Sequence, residues 1–166
     1  MFNIINKNKN ISNGRTNFYQ KGITIMEVLI LVAVLGLIVL IVLPQFSKIR
    51  ENQVLKNAVG DVLSSINKAR GQTLSSLDSS EYGVHFQANK VIIFKGTAYS
   101  AISPDNEMVN IVTPASISNI SLSGGGSDVY FSRLLGAPSK TGTVTISSTS
   151  YNRIITISAT GVASSN

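Results

Sequence analysis

The stretch from Ile23 to Leu43, ITIMEVLILVAVLGLIVLIVL, constrains this chain more than any other feature. It holds one ionisable group, Glu27. At ~1.5 Å of rise per residue, a helix of this length crosses a hydrocarbon core of roughly 30 Å. The expectation is one transmembrane helix. Lys7, Lys9, Arg15 and Lys21 precede it without an acid, while Lys48, Arg50 and Glu51 beyond its far end partly cancel. That asymmetry predicts a cytoplasmic N-terminus and an exported C-terminal part. A cleavable secretory signal fits poorly. Its apolar core runs about 7–15 residues and ends in small residues, whereas this longer run exits through Ile41-Val42-Leu43-Pro44-Gln45.

Charge adds to this reading only once it is located. Of the net +6, the first 22 residues carry +4, so the rest of the chain is nearly neutral at +2. The absence of cysteine excludes disulfide staples, thiolate metal sites and cysteine nucleophiles, so the stability of the exported part must come from packing. A length of 166 residues suits one modest domain and an appendage.

Past Pro44 the pattern turns amphipathic. Leu55, Val59, Val62, Ile66, Ala69 and Thr73 recur every three or four residues and predict one buried stripe. Lys48, Arg50, Glu51, Lys56, Asp61, Lys68 and Arg70 are expected on the wet sides. The helix should continue to about Leu77, with a break at Asp78-Ser79-Ser80. From Glu81 onward short runs rich in valine, isoleucine, threonine and aromatics read as strands. Tyr82 to Phe86 and Val91 to Phe94 form an expected hairpin, and Val144 to Ile146 faces Ile155 to Ile157 across a turn near residues 150–152. Val109 to Val112, Ile117 to Leu122 and Val129 to Phe131 are further candidates. The fold class is therefore α+β: a long N-terminal helix, half transmembrane and half amphipathic, packed against a small antiparallel β-sheet head. The expected organisation is residues 1–22 as a leader, 23–43 as the transmembrane helix, 44–78 as its amphipathic continuation and 79–166 as the head.

At the border of the basic leader and the apolar run stands Lys21-Gly22-Ile23-Thr24-Ile25-Met26-Glu27. Glycine presents no side chain to a protease approaching the backbone. A carboxylate inside an apolar span costs a few kcal/mol on insertion scales, about 2.5–3.5, and marks a functional position by default. Glu27 alone also fits a second reading, in which it sits at headgroup depth and is solvated there. The whole stretch resembles the recognition site of type IV prepilins, commonly written K-G-F-T-L-I-E, with isoleucine where phenylalanine is usual. The resemblance implies cleavage between Gly22 and Ile23 by a prepilin peptidase and methylation of the new amine on Ile23. It also implies assembly through Thr24 and Glu27, the carboxylate pairing with the freed amine of a neighbouring subunit. Pro44 falls where many pilins and pseudopilins have a proline; there it removes the bond to the Leu40 carbonyl and kinks or locally opens a helix. Marking the membrane exit is an equally good account of it.

The order of the tail, Val129-Tyr130-Phe131-Ser132-Arg133, then Gly136, then Gly142 to Ile146 and Arg153 to Ile157, is similar to the GspH/FimT group of minor pilins and pseudopilins. That likeness implies a filament subunit in a type IV pilus or a type II secretion pseudopilus. Its expected partners are other pilin or pseudopilin subunits, the prepilin peptidase, an inner-membrane assembly platform and the lipid bilayer. DNA-binding relatives carry arginines after a C-terminal glycine; this chain reads Gly161-Val162-Ala163-Ser164-Ser165-Asn166. Arg133, Lys140 and Arg153 are too few and too scattered for phosphate binding, so nucleic acid is not an expected partner. A DNA-uptake pilin and a non-polymerising membrane-anchored binding domain are the alternatives.

Enzyme chemistry finds no foothold in the residues. Gly124-Gly125-Gly126-Ser127 lacks a phosphate-binding lysine and a following helix, and reads as a flexible turn. His85, the one histidine, sits in an expected strand without a second ligand at metal spacing. Asp105 and Glu107 fall in an expected loop. No catalytic residue, cofactor or metal is expected.

Overall fold

The periodicity beyond Pro44 becomes one side of a core. In a computed structural model, which describes residues 22–166, α1 spans Ile25–Leu74, and the chain divides into two compact units after Leu40. The expected leader, residues 1–22, lies outside the described residues except for Gly22. From Ile41 onward the molecule is the folded head. Leu55, Val59, Val62, Ile66, Ala69 and Thr73 are all buried, joined by Ala58 and Ser65.

Two four-stranded antiparallel sheets pack on this stripe. The first contains β1 (Tyr82–Gln87), β2 (Lys90–Lys95), β3 (Glu107–Asn110) and β5 (Asp128–Tyr130), in the order β3-β2-β1-β5. The second contains β4 (Ser116–Leu122), β6 (Gly142–Ser147), β7 (Asn152–Ile157) and β8 (Ala163–Ser165), in the order β4-β6-β7-β8. Val84, Phe86, Val91 and Ile93 of the first sheet, and Ile117, Val144, Ile146, Ile155 and Ile157 of the second, meet the helix stripe in one core. Alternation therefore decides which residues point inward, as the period of a strand requires. The fold is α+β, with the helix against two small sheets rather than one.

Both expected hairpins form. Ala88 and Asn89 connect β1 to β2 with Gln87 opposite Lys90, and residues 148–151 connect β6 to β7 with Ser147 opposite Asn152. Strand ends shift by one or two residues, Phe131 among them falling just past β5, and two elements differ more from expectation. The helix ends at Leu74 instead of near Leu77, because Ser76 takes a left-handed conformation (φ 49°) and starts a short 3₁₀ turn over Leu77–Ser79. The third strand runs Glu107–Asn110 instead of Val109 to Val112; Val112 is 66% exposed and lies beyond it. Glu107 is thus the first residue of a strand and not part of a loop.

Several charges expected simply to face water instead tie the helix to the sheets. Lys68 Nζ lies 2.6 Å from Glu107 Oε1. Arg70 donates from Nε to the carbonyl of Gly136 (3.1 Å) and from Nη2 to that of Thr160 (3.2 Å). A methyl group on Gly161 would stand 2.2 Å from the Gly136 oxygen, and its φ of +79° already favours glycine. Thr73 closes the same end: its hydroxyl donates to the Ala69 carbonyl and accepts the N–H of Tyr82, leaving no buried hydroxyl unpaired there.

Glu51 holds the opposite end of the head. The N–H of Ser150 donates to its Oε1 and the Ser150 hydroxyl to its Oε2 (3.2 Å). The backbone bond is the main cause that lowers the Glu51 carboxyl below its ordinary value of 4.5. A lowered folded-state value means that this anchor contributes fully above pH 4.5 and fades as the pH falls through the lowered value. The expected result is a loss of amide-exchange protection at Ser150, measured against the intrinsic rate at each pH, on acidification below pH 4.5. Glu51→Gln should show low protection already at neutral pH, and a pH-independent protection factor in the wild type would count against the anchor.

Candidate functional site

Gly22 and Ile23 lie outside α1 in non-helical backbone, and both are exposed. Among the described residues, no atom beyond its chain neighbours comes within 4 Å of where a Cβ on Gly22 would be. Thr24 follows as the cap. Its hydroxyl accepts the N–H of Glu27 at 3.3 Å, and its carbonyl accepts the N–H groups of Glu27 (3.1 Å) and Val28 (3.2 Å). The pattern is that of an N-cap threonine with a glutamate three residues on, the start of a capping box. Two features thus come from one local arrangement. The chain enters the helix at a defined residue, and Glu27 stands in the first turn, where a negative charge meets the positive end of the helix dipole.

The expected site residues Gly22, Ile23, Thr24 and Glu27 are therefore adjacent, in and just before one helical turn. Pro44 is separate. It lies inside α1, and the helix is unbroken across it. Between these points every residue from Ile23 to Leu43 is exposed, and α1 is the one helix among the described residues long and apolar enough to cross a membrane. An exposed apolar surface of that extent needs lipid or other apolar helices around it.

The remaining candidates are dispersed. Gly124, Gly125 and Gly126 all have positive φ, and the Gly125 carbonyl accepts Lys140 Nζ at 2.7 Å, which engages one of the three scattered cations internally. Arg133 and Arg153 are exposed. His85 is more than a plain strand residue. Its Nδ1 bonds Asp128 Oδ1, its Nε2 lies 3.1 Å from Gln87 Nε2, and its ring stacks on Tyr99 with centroids 3.9 Å apart. With the carboxylate accepting at Nδ1, the proton belongs there and Nε2 accepts from the Gln87 amide. Among the described residues no three His, Asp or Glu side chains gather as a metal site would require.

No known family, curated protein or solved structure matches this chain. The signal for the N-terminal arrangement was the run Lys21 to Glu27, which is local; the cap by Thr24 is seen only in the structure. The His85 cluster had no such signal, since Asp128 is 43 positions away in sequence and meets His85 only through β1–β5 pairing.

Proposed function

We propose that this chain is a pilin-like subunit, a minor pilin or pseudopilin of a type IV pilus or type II secretion pseudopilus. It is inserted with its N-terminus in the cytoplasm, cut between Gly22 and Ile23 by a prepilin peptidase, methylated on Ile23 and assembled through α1. The observation that carries the reading is the junction itself. An unobstructed glycyl bond stands immediately before a threonine-capped helix that bears a single carboxylate in its first turn and apolar side chains on every face thereafter.

Cleavage there leaves an ammonium on Ile23 within one turn of Glu27. In an apolar surrounding such a carboxylate needs a cation, and a neighbouring copy supplies one at fixed axial offset. Pro44 gives the helix a position where one backbone bond is missing and local opening costs less. Cargo contact or priming falls to the β-rich head. The likeness at residues 21–27 and the strand order support the assignment.

Intact mass of the protein purified from membranes tests it. Loss of residues 1–22 with one added methyl group is expected. A chain that still begins at Met1 in cells holding an active prepilin peptidase would instead indicate a membrane-anchored binding domain that does not polymerise.

A further inference from the structure

Over β1 and β2 the first sheet is covered on both faces. Its inner face joins the main core, while Gly83, His85 and Gln87 of β1 and Lys90, Ile92 and Phe94 of β2 share the outer one, by their register. Ile92 and Phe94 are 2% and 1% exposed, yet neither belongs to the core under the helix. The cover is the connection between β2 and β3, residues 96–106. Its Tyr99 ring stacks on His85 and meets Phe94 edge-on at 5.9 Å. Asn106 braces the loop by donating from Nδ2 to the Ser100 carbonyl at 2.7 Å. Compact loops of this length with closely spaced ends are frequently functional.

The cover does not fit its sheet completely. Between them lies a cavity of about 310 Å³, lined among others by Lys90, Ile92, Tyr99, Ser103, Asn106 and Met108. That volume is at the small end of ligand cavities, about 300–1,000 Å³. Ile92, buried beneath the loop, and Met108, 61% exposed at the open side, face each other across β2 and β3 and supply the apolar part of the lining. Two polar groups there lack partners. Lys90 forms no ion pair among the described residues; its Nζ has only the Met108 sulfur at 3.9 Å. The Oδ1 of Asn106 is shut from solvent and accepts no hydrogen bond, an arrangement that buried carbonyls rarely tolerate.

From these features we infer a ligand site beneath the 96–106 loop for a small amphipathic carboxylate with an N–H donor beside its acid group. An apolar amino acid, or the last residue of a peptide, has this chemistry. The carboxylate meets Lys90 at the rim and the apolar side chain lies on Ile92 and Met108. Entry lifts the loop enough for the N–H to reach Asn106 Oδ1, the donor that the closed loop lacks. The His85–Tyr99 stack keeps the loop's base attached to the sheet while its far end moves. The site is independent of cleavage and assembly, and it stands or falls separately from them.

Met108 provides the probe. The chain has three methionines, Met1, Met26 and Met108, so the full-length protein in lipid nanodiscs with ¹³C-labelled methionine methyls gives few signals. Titration with L-leucine and with N-acetyl-L-leucine is expected to shift the Met108 signal saturably, leaving Met26 in the apolar segment unmoved. Response to leucine alone identifies the free amino acid, and response to the acetylated form identifies a peptide end. Lys90→Gln, on the rim of a hairpin, should weaken binding roughly tenfold, as loss of one charge-assisted contact does. N-acetyl-leucinamide, which has no acid, should bind as weakly as that variant binds the acid. The proposal is overturned if neither carboxylate moves Met108 up to about 10 mM, well into the range of weak ligands, if the amide binds equally well, or if Lys90→Gln changes nothing.

Discussion

Glu27→Ala is expected to enter the membrane at least as well as the wild type and to leave filaments roughly a hundredfold scarcer or worse. Insertion improves because the substitution removes the one carboxylate of the apolar run, a group that costs about 2.5–3.5 kcal/mol at a helix centre and less in the first turn, where Glu27 stands. On the proposed assembly, filaments fail because the neighbour's freed amine is then desolvated alone, and breaking such a pair costs about 3–5 kcal/mol. The helix start survives, since the cap uses the Thr24 hydroxyl and the backbone N–H of residue 27. Sheared-filament yield and membrane-fraction blots read the two effects separately. Glu27→Gln sharpens the test: it keeps the shape and removes the charge, so filaments at wild-type levels in that variant would refute the charge pairing.

The largest loss of stability is expected from Phe131→Ala. Phe131 is fully buried, packs in the core shared by the helix and both sheets, and connects to β1 through its N–H on the Tyr82 carbonyl (2.9 Å). Truncating a buried phenylalanine costs about 3–5 kcal/mol, the lost transfer energy plus the cavity left behind. That is a large share of the 5–15 kcal/mol typical of a domain. Urea unfolding of the full chain in micelles, followed through tyrosine circular dichroism, measures it. Leu135→Ser, at a 77% exposed position on the following loop, should stay within about 0.5 kcal/mol of wild type. Equal losses in the two variants would mean that the core is misidentified.

What could be read from the sequence was what depends on local period. The stripe from Leu55 to Thr73 repeats its apolar residues at helix spacing, and Val84/Phe86, Val144/Ile146 and Ile155/Ile157 repeat theirs at strand spacing; the structure buries those residues. The strand Ala163–Ser165 was not legible: alanine and serine have no strand preference, and its state comes from pairing with β7. Nor was the outer core of the first sheet. Val91-Ile92-Ile93-Phe94 is apolar without alternation, which says that both faces are covered but not by what; the cover is a polar loop whose one large ring is Tyr99. Thr24 as the helix cap emerged only in the structure, but the grouping of Gly22, Ile23, Thr24 and Glu27 was readable because it spans six residues. The roles of Arg70 and Glu51 were not, because their partners are loop backbone groups far along the chain.

Those two anchors also set a schedule. Glu51 waits for Ser150, 99 positions later, and Arg70 for Thr160, 90 positions later. Closing loops of that length comes late in folding and slows it. A ribosome delivers the apolar helix first and these partners last, so the head cannot lock shut until nearly all of its chain has been made. On the proposed orientation, a translocation channel meets an open chain and never a finished fold.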